Sequence, residues 1–203
     1  NPEIRIVEIF ESLPAEGYNT GMRAVFIRLG KCKLACAWCD TDYLKFGMMS
    51  LSDILSRLQT YAARNIIITV GEPTIQPHLS VLLDALKAQG YRLCIETNGL
   101  KPAPAQIDYV AASPKACYAE KYRQQCIEAA DEVRIVADGD VLAFCAEMEQ
   151  KIRATHYYLS PCEIDGQMNI YDTIRQIGLL NARADAQVHW QLSVQTHKWA
   201  GIE

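Results

Sequence analysis

The chain has 203 residues, half of them apolar and 22% charged, which suits one compact globular unit and leaves little room for a second. A net charge of −4 argues against a nucleic-acid binder working through a broad basic surface. No apolar run approaches the roughly 20 residues that cross a bilayer, no signal-peptide pattern opens the chain, and the eight cysteines fit a reducing cytoplasm better than a disulfide framework.

In chain order, "IRIVEIF" (4–10) and "AVFIRLG" (24–30) read as strands joined by the loop "ESLPAEGYNTG". "LSDILSRLQTYAAR" (51–64) has helical spacing and a serine near its start. "NIIITV" (65–70) reads as a buried strand, and "HLSVLLDALKAQG" (78–90) as a helix closed by Gly90. "RLCIETNG", "YVAASP", "EVRIVAD", "HYYLSP" and "WQLSVQTH" are further strand candidates, with helical segments near 119–130, 141–152 and 168–182 between most of them. This alternation predicts an α/β fold with a parallel sheet and helices outside it. The units are too few for eight-fold closure, so the expected architecture is an incomplete (β/α)6-type parallel barrel, with residues 1–203 forming one domain. "GKC", "TVGEPT", "ETNG", "SPK", "LSPCE" and "QTHK" follow the C-terminal ends of predicted strands, the rim on which barrel sheets collect catalytic groups.

"GKCKLACAWCDTDY" (30–43) places Cys32, Cys36 and Cys39 in a C-x3-C-x2-C run. Three thiolates suit a four-iron cluster, leaving one iron open to a small molecule much as a catalytic zinc keeps a vacant position. In a strand-to-helix loop the peptide N–H groups can turn inward toward the sulfides. The alternatives are a zinc knuckle completed by a distant His, or three unrelated small apolar residues; spacing and strand-end context favour the cluster. Arg28, inside an apolar strand, needs an anion: a substrate carboxylate or a structural ion pair. Cys94, Cys117, Cys126 and Cys145 are expected to pack as small apolar residues, and Cys162, in a predicted rim loop, to be inert rather than a ligand or redox partner. His78, His156 and His189 lack metal-like spacing.

The cysteine run, with Trp38 before its last member, resembles the radical S-adenosylmethionine superfamily, whose open iron chelates the methionine end of that cofactor so that one electron yields a 5′-deoxyadenosyl radical. "EIFESLPAEGYNTG", "FIRLGKCKLACAWCDT", "GEPT", "IETNG", "SPK" and "QTHKWAGIE" extend the likeness over nearly the whole chain and resemble the 7-carboxy-7-deazaguanine synthases. Members of that family are lyases. They contract 6-carboxy-5,6,7,8-tetrahydropterin to 7-carboxy-7-deazaguanine and release ammonia, on the route to queuosine and related 7-deazapurines.

The resemblance implies that Cys32, Cys36 and Cys39 hold the [4Fe-4S] cluster and that Thr41 binds Mg²⁺; Thr41 read by itself suits a simple cap. It implies contacts to S-adenosylmethionine from Trp38, Cys39 and Asp40, from Gly71 and Glu72, from Ser113, Pro114 and Lys115, and from Ser160, Pro161, Cys162 and Glu163. It implies substrate contacts from Leu13, Pro14, Ala15, Arg28, Thr69 and the terminal Glu203, with an N-terminal strand-and-loop extension, an active-site C-terminal tail ordered through His197, and a homodimer. A flavodoxin- or ferredoxin-type electron donor is expected, with no nucleic-acid or membrane partner.

Three positions depart from the family pattern. Its Gln-Gly-Glu-Gly reads Pro14-Ala15-Glu16-Gly17 here, the first glycine of its Gly-Gly-Glu-Pro is Val70, and its Gln-Pro is Ser160-Pro161. Cofactor-side elements match better than substrate-side ones. The alternatives are therefore a radical enzyme for another substrate, an activase of glycyl-radical enzymes, or, outside catalysis, a zinc-stabilised binding module.

Overall fold

A computed structural model describes residues 1–39, 42–196 and 201. The chain divides into two compact units. The first comprises Asn1–Pro14, Gly21–Thr97 and Ala103–Val110; the second comprises Ala15–Thr20, Asn98–Pro102 and Ala111–Glu203.

In the first unit β1 (Glu3–Ser12), β2 (Ala24–Leu29), β3 (Gly47–Ser50), α1 (Leu51–Leu58), β4 (Asn65–Thr69), α2 (Leu79–Ala88) and β5 (Arg92–Thr97) follow one another. Strands β2, β4 and β5 are parallel neighbours, while β1 runs antiparallel between β2 and β3. The parallel strands are continuous apolar runs because both of their faces are covered; Ile66, Ile67 and Ile68 are all buried. Ser50 caps α1 by accepting from the Asp53 N–H at 3.2 Å. The helix stops at Leu58, short of the expected 64, as the Thr60 hydroxyl turns back to Arg57 O at 2.7 Å and the Tyr61 hydroxyl bonds Ile9 O on β1. Helix α2 ends as expected: Gly90 lies at φ 78°, its N–H reaches Lys87 O, and the Tyr91 N–H reaches Leu86 O. Ile54, Leu58, Leu82, Leu83 and Leu86 close the helices onto Ile4, Ile27, Ile66 and Ile95.

Strand β6 (Tyr109–Ala112) begins in the first unit and ends in the second. The second unit continues with α3 (Ala119–Gln124), β7 (Glu132–Ala137), α4 (Leu142–Lys151), β8 (His156–Pro161), a hairpin of β9 (Glu163–Ile164) and β10 (Gln167–Met168), α5 (Ile170–Asn181) and β11 (Trp190–Leu192). Strands β6, β7, β8 and β11 are parallel in that order. Trp190 is fully buried, and its indole N–H donates to Glu149 Oε2 at 2.8 Å while Arg183 pairs with Oε1 of the same carboxylate. That buried carboxylate is thereby satisfied from the turn after α5 and from β11. The central sheet is mostly parallel and unclosed, as the alternation of elements predicts. Among the described residues, no helix is long and apolar enough to cross a membrane.

Candidate active site

The cysteine loop leaves the end of β2 through Gly30, where an added Cβ would stand 2.6 Å from the Phe46 ring. Lys31 turns the chain at φ 68°, and its N–H donates to Tyr43 O at 2.8 Å, pinching the loop at its base. Inside, the Tyr43 hydroxyl donates to Leu34 O, the Leu34 N–H to Cys32 Sγ at 3.4 Å, and the Cys39 N–H to Cys36 O at 3.1 Å. All eight cysteines are thiols rather than disulfides; Cys32 and Cys36 are half-buried and Cys39 is exposed. Half-buried Trp38 lies in the same turn. Soft sulfur donors in one loop, with a backbone amide directed at one of them, fit an iron–sulfur cluster. Among the described residues no three His, Cys, Asp or Glu side chains converge for a single metal ion.

The turn after β4 is built against that loop. Val70 (φ 52°) and Gly71 (φ 67°) are both left-handed, and a Cβ on Gly71 would collide with Lys31 O and stand 2.7 Å from Leu29 O. The Glu72 N–H donates to Lys31 O at 2.9 Å. Buried Gln76 directs its amide Nε2 at Gly30 O, at Lys31 O (3.2 Å) and at Glu72 O (3.2 Å). The side chain of Glu72, 3% exposed, accepts from the Thr74 N–H, the Thr74 hydroxyl and the Thr97 hydroxyl. Buried Thr69 donates to Glu96 Oε2 at 2.6 Å.

Arg28 lies beside Thr69 in the β2–β4 register and opposite Glu8 on β1. Its Nη1 donates to Glu8 Oε2 at 3.0 Å and its guanidinium stacks 4.6 Å over Phe10. The protein thus supplies one anion itself, as in the ion-pair alternative, while the buried Nε has no hydrogen-bond partner among the described residues.

In the second unit Lys115 Nζ donates to Ser113 Oγ at 2.8 Å beside buried Pro114. Ser160, 1% exposed on β8, has no hydrogen-bond partner for its hydroxyl among the described residues and lies beside buried Pro161. Asn169 fixes the following residue by accepting from the Cys162 N–H at 2.7 Å and donating to Ala137 O, whereas Glu163 is exposed. The divergent loop is strapped from three sides. Ala15 O accepts from the Thr196 N–H and hydroxyl, the Gly17 N–H donates to Ser193 Oγ, and the Tyr18 N–H donates to Glu132 Oε2. Gly17 takes a left-handed φ of 70°, which favours glycine, and a Cβ there would stand 2.8 Å from Glu132 Cδ and push that side chain aside. In the first unit, Leu13 is exposed and Pro14 O accepts from the Gly21 N–H at 2.9 Å. Asp40, Thr41, His197 and Glu203 lie outside the described residues.

Two cysteine expectations need correction. Cys94 and Cys145 are buried, but Cys117 is exposed and Cys126 half-buried, because the short 3₁₀ turn at 116–118 and the chain after α3 run along the surface. Cys162 is buried at the end of β8, held there by Asn169. Sequence reasoning missed Glu8, Gln76, Glu96, Thr97 and Glu132, which hold the expected site residues from distant positions. The signal available for Glu96 and Thr97 was their place in "ETNG" at a strand end.

The model of the radical SAM superfamily matches residues 26–118. The 7-carboxy-7-deazaguanine synthase of Neisseria meningitidis serogroup B is 81% identical over 203 residues, covering 100% of this chain and 96% of that protein. The chain belongs to the 7-carboxy-7-deazaguanine synthase family. Another relative, the synthase of Haemophilus influenzae, is 57% identical over 202 residues, covering 100% of this chain and 95% of that protein. The crystal structure of QueE from Escherichia coli superposes with a TM-score of 0.70 at 27% identity, covering 95% of this chain and 94% of that one. Membership of the family implies a [4Fe-4S] cluster and S-adenosylmethionine, which the cysteine loop fits. Likeness over the full length sets the activase and zinc-module alternatives aside.

Proposed function

We propose that this chain catalyses the radical contraction of 6-carboxy-5,6,7,8-tetrahydropterin to 7-carboxy-7-deazaguanine with loss of ammonia, a step toward queuosine and related 7-deazapurines. The observation that carries this reading is full-length 81% identity to a named synthase, joined to a cysteine loop built for a cluster. When bound, cluster and S-adenosylmethionine supply a hydrogen-abstracting organic radical.

The residues divide the remaining work. Cys32, Cys36 and Cys39 hold the cluster as thiolates. Trp38, Cys39, Asp40, Gly71 and Glu72 hold the cofactor beside it, and the buried carboxylate of Glu72 suits an ammonium. Ser113, Pro114 and Lys115, with Ser160, Pro161, Cys162 and Glu163, complete its binding; the unsatisfied Ser160 hydroxyl supports a polar ligand there. Thr41 binds Mg²⁺, whose shell is filled by waters or substrate oxygens. Leu13, Pro14, Ala15, Thr69 and Glu203 contact the pterin, and Arg28 recognises its carboxylate, a role supported by an Nε that has no partner among the described residues. These positions work as one radical SAM domain over residues 1–203, in a cytoplasmic homodimer reduced by a flavodoxin- or ferredoxin-type donor.

The test is anaerobic incubation of cluster-reconstituted protein with S-adenosylmethionine, reductant, Mg²⁺ and the carboxypterin. Formation of 7-carboxy-7-deazaguanine supports the reading; 5′-deoxyadenosine without that product would keep the radical step and remove the substrate.

A further inference from the structure

Strand β1 changes parity at its centre. Ile4 and Ile6 turn into the core at a spacing of two, but the next residue to do so is Ile9, at a spacing of three. The register against β2 slips at the same place: Ile6 faces Leu29, whereas Glu8 faces Arg28 and Phe10 faces Phe26. Val7 is the extra residue of a β-bulge. Directly opposed residues share a face of the sheet, so an unbroken register would set Val7 opposite Arg28 and turn Glu8 toward buried Ile27. The bulge instead brings Glu8 and Phe10 to the face that Arg28 occupies.

Those two side chains hold the guanidinium in different ways. Phe10, itself stacked on Phe26 with ring centroids 5.1 Å apart, lies 4.6 Å beneath it and supports one face. Glu8 accepts from Nη1 at 3.0 Å and stops the group turning about its bond to the chain. What remains is the edge formed by Nε and Nη2, the side-on fork that matches a carboxylate. Its Nε is buried and has no hydrogen-bond partner among the described residues.

We propose that Glu8 and Phe10 are positioning residues that make the site selective for a carboxylated substrate, by presenting the Nε–Nη2 edge of Arg28 already aimed. This rests on the reading that Arg28 recognises the pterin carboxylate, and it assigns the selectivity to the residues that aim it. A loose arginine must be ordered when its ligand arrives; here the ordering is completed on folding. Glu8 also repels a second carboxylate, but its side chain is 37% exposed and solvent screens that repulsion, so the aim outweighs it.

The probes are 6-carboxy-5,6,7,8-tetrahydropterin and its 6-carboxamide, which differ in charge at the group in question. Each is titrated anaerobically by calorimetry into cluster-reconstituted, full-length protein with S-adenosylmethionine and Mg²⁺ but no reductant, so that binding is read without turnover. Wild type should prefer the acid. Glu8→Ala should reduce that preference about tenfold while leaving affinity for the amide within about twofold. Glu8→Gln still accepts from Nη1 and should recover most of the preference. On an Arg28→Ala background, Glu8→Ala should lower it no further. Phe10→Leu keeps an apolar side chain, should reduce the preference about threefold, and serves as the second variant should Glu8→Ala not fold. A preference unaltered or increased in Glu8→Ala and Phe10→Leu, or equal losses for acid and amide, would overturn the proposal and leave the substrate reading standing. Wild-type protein that binds neither probe, or binds both equally, would overturn the carboxypterin reading and the proposal with it.

Discussion

Val70 carries a β-branched side chain at φ 52°, a backbone region that costs non-glycine residues about 1–2 kcal/mol. Replacement by Gly and by Ala both remove the branched chain, but only Gly relieves the conformation. Val70→Gly should therefore be more stable than Val70→Ala by about 1 kcal/mol, read as a higher urea midpoint. Gly71→Ala has the opposite sign, since its Cβ would meet the carbonyls of Lys31 and Leu29, which belong to rigid backbone. We expect a loss of about 3 kcal/mol and, because the Lys31 carbonyl precedes Cys32, a lower iron content per chain after reconstitution. For Arg28 the proposed role separates from the pair with Glu8 by substitution. Arg28→Lys keeps a charge beside Glu8 but loses the planar fork. Deazaguanine formation should fall at least about tenfold while 5′-deoxyadenosine formation persists.

Elements were legible in the sequence where their chemistry is continuous. β4 and β5 announce themselves by the apolar runs at their centres, Ile66–Ile68 and Leu93–Ile95, which parallel strands covered on both faces require, and α2 because a leucine stripe ends at a left-handed glycine. β3 was not legible: "GMMS" has little strand preference and forms through pairing with β1, a contact no local pattern reports. The site divides the same way. The cysteines are contiguous and could be read, whereas Gln76 reaches Gly30 across 46 positions and Glu132 reaches Tyr18 across 114. One such tie joins the segment before β6 to β5. Asp108 accepts from the Leu93 N–H at 2.8 Å and pairs with Lys87. Partial burial opposes ionisation of Asp108, but that N–H and the ammonium outweigh it and hold its pKa below 3.8. A carboxylate with a lowered pKa stabilises the fold above that value and loses its contribution as pH falls through it. Asp108→Asn should cost about 1 kcal/mol at neutral pH, with part of the deficit disappearing in acid denaturation curves.

The whole molecule should respond to base through Cys145 on α4. Burial, reinforced by nearby Glu149, pushes this thiol well above its usual value of 9.0. A thiol with a raised pKa in the folded state costs no stability while both states are protonated. The penalty grows once pH passes the unfolded value, because only the unfolded chain can then ionise. Thermal midpoints should fall above about pH 9, and Cys145→Ala should fall less steeply over that window while starting lower from its cavity. The gross architecture was visible in the rhythm of strands and helices, because covering an unclosed parallel sheet demands that alternation.

Gln76 makes the cysteine loop depend on a single nitrogen atom. Exchanging its amide for a carboxylate leaves shape and volume nearly unchanged while turning oxygen lone pairs toward the three carbonyl oxygens that its nitrogen now faces. Gln76→Glu should leave the fold standing while lowering the iron and sulfide taken up per chain on reconstitution, read against wild type.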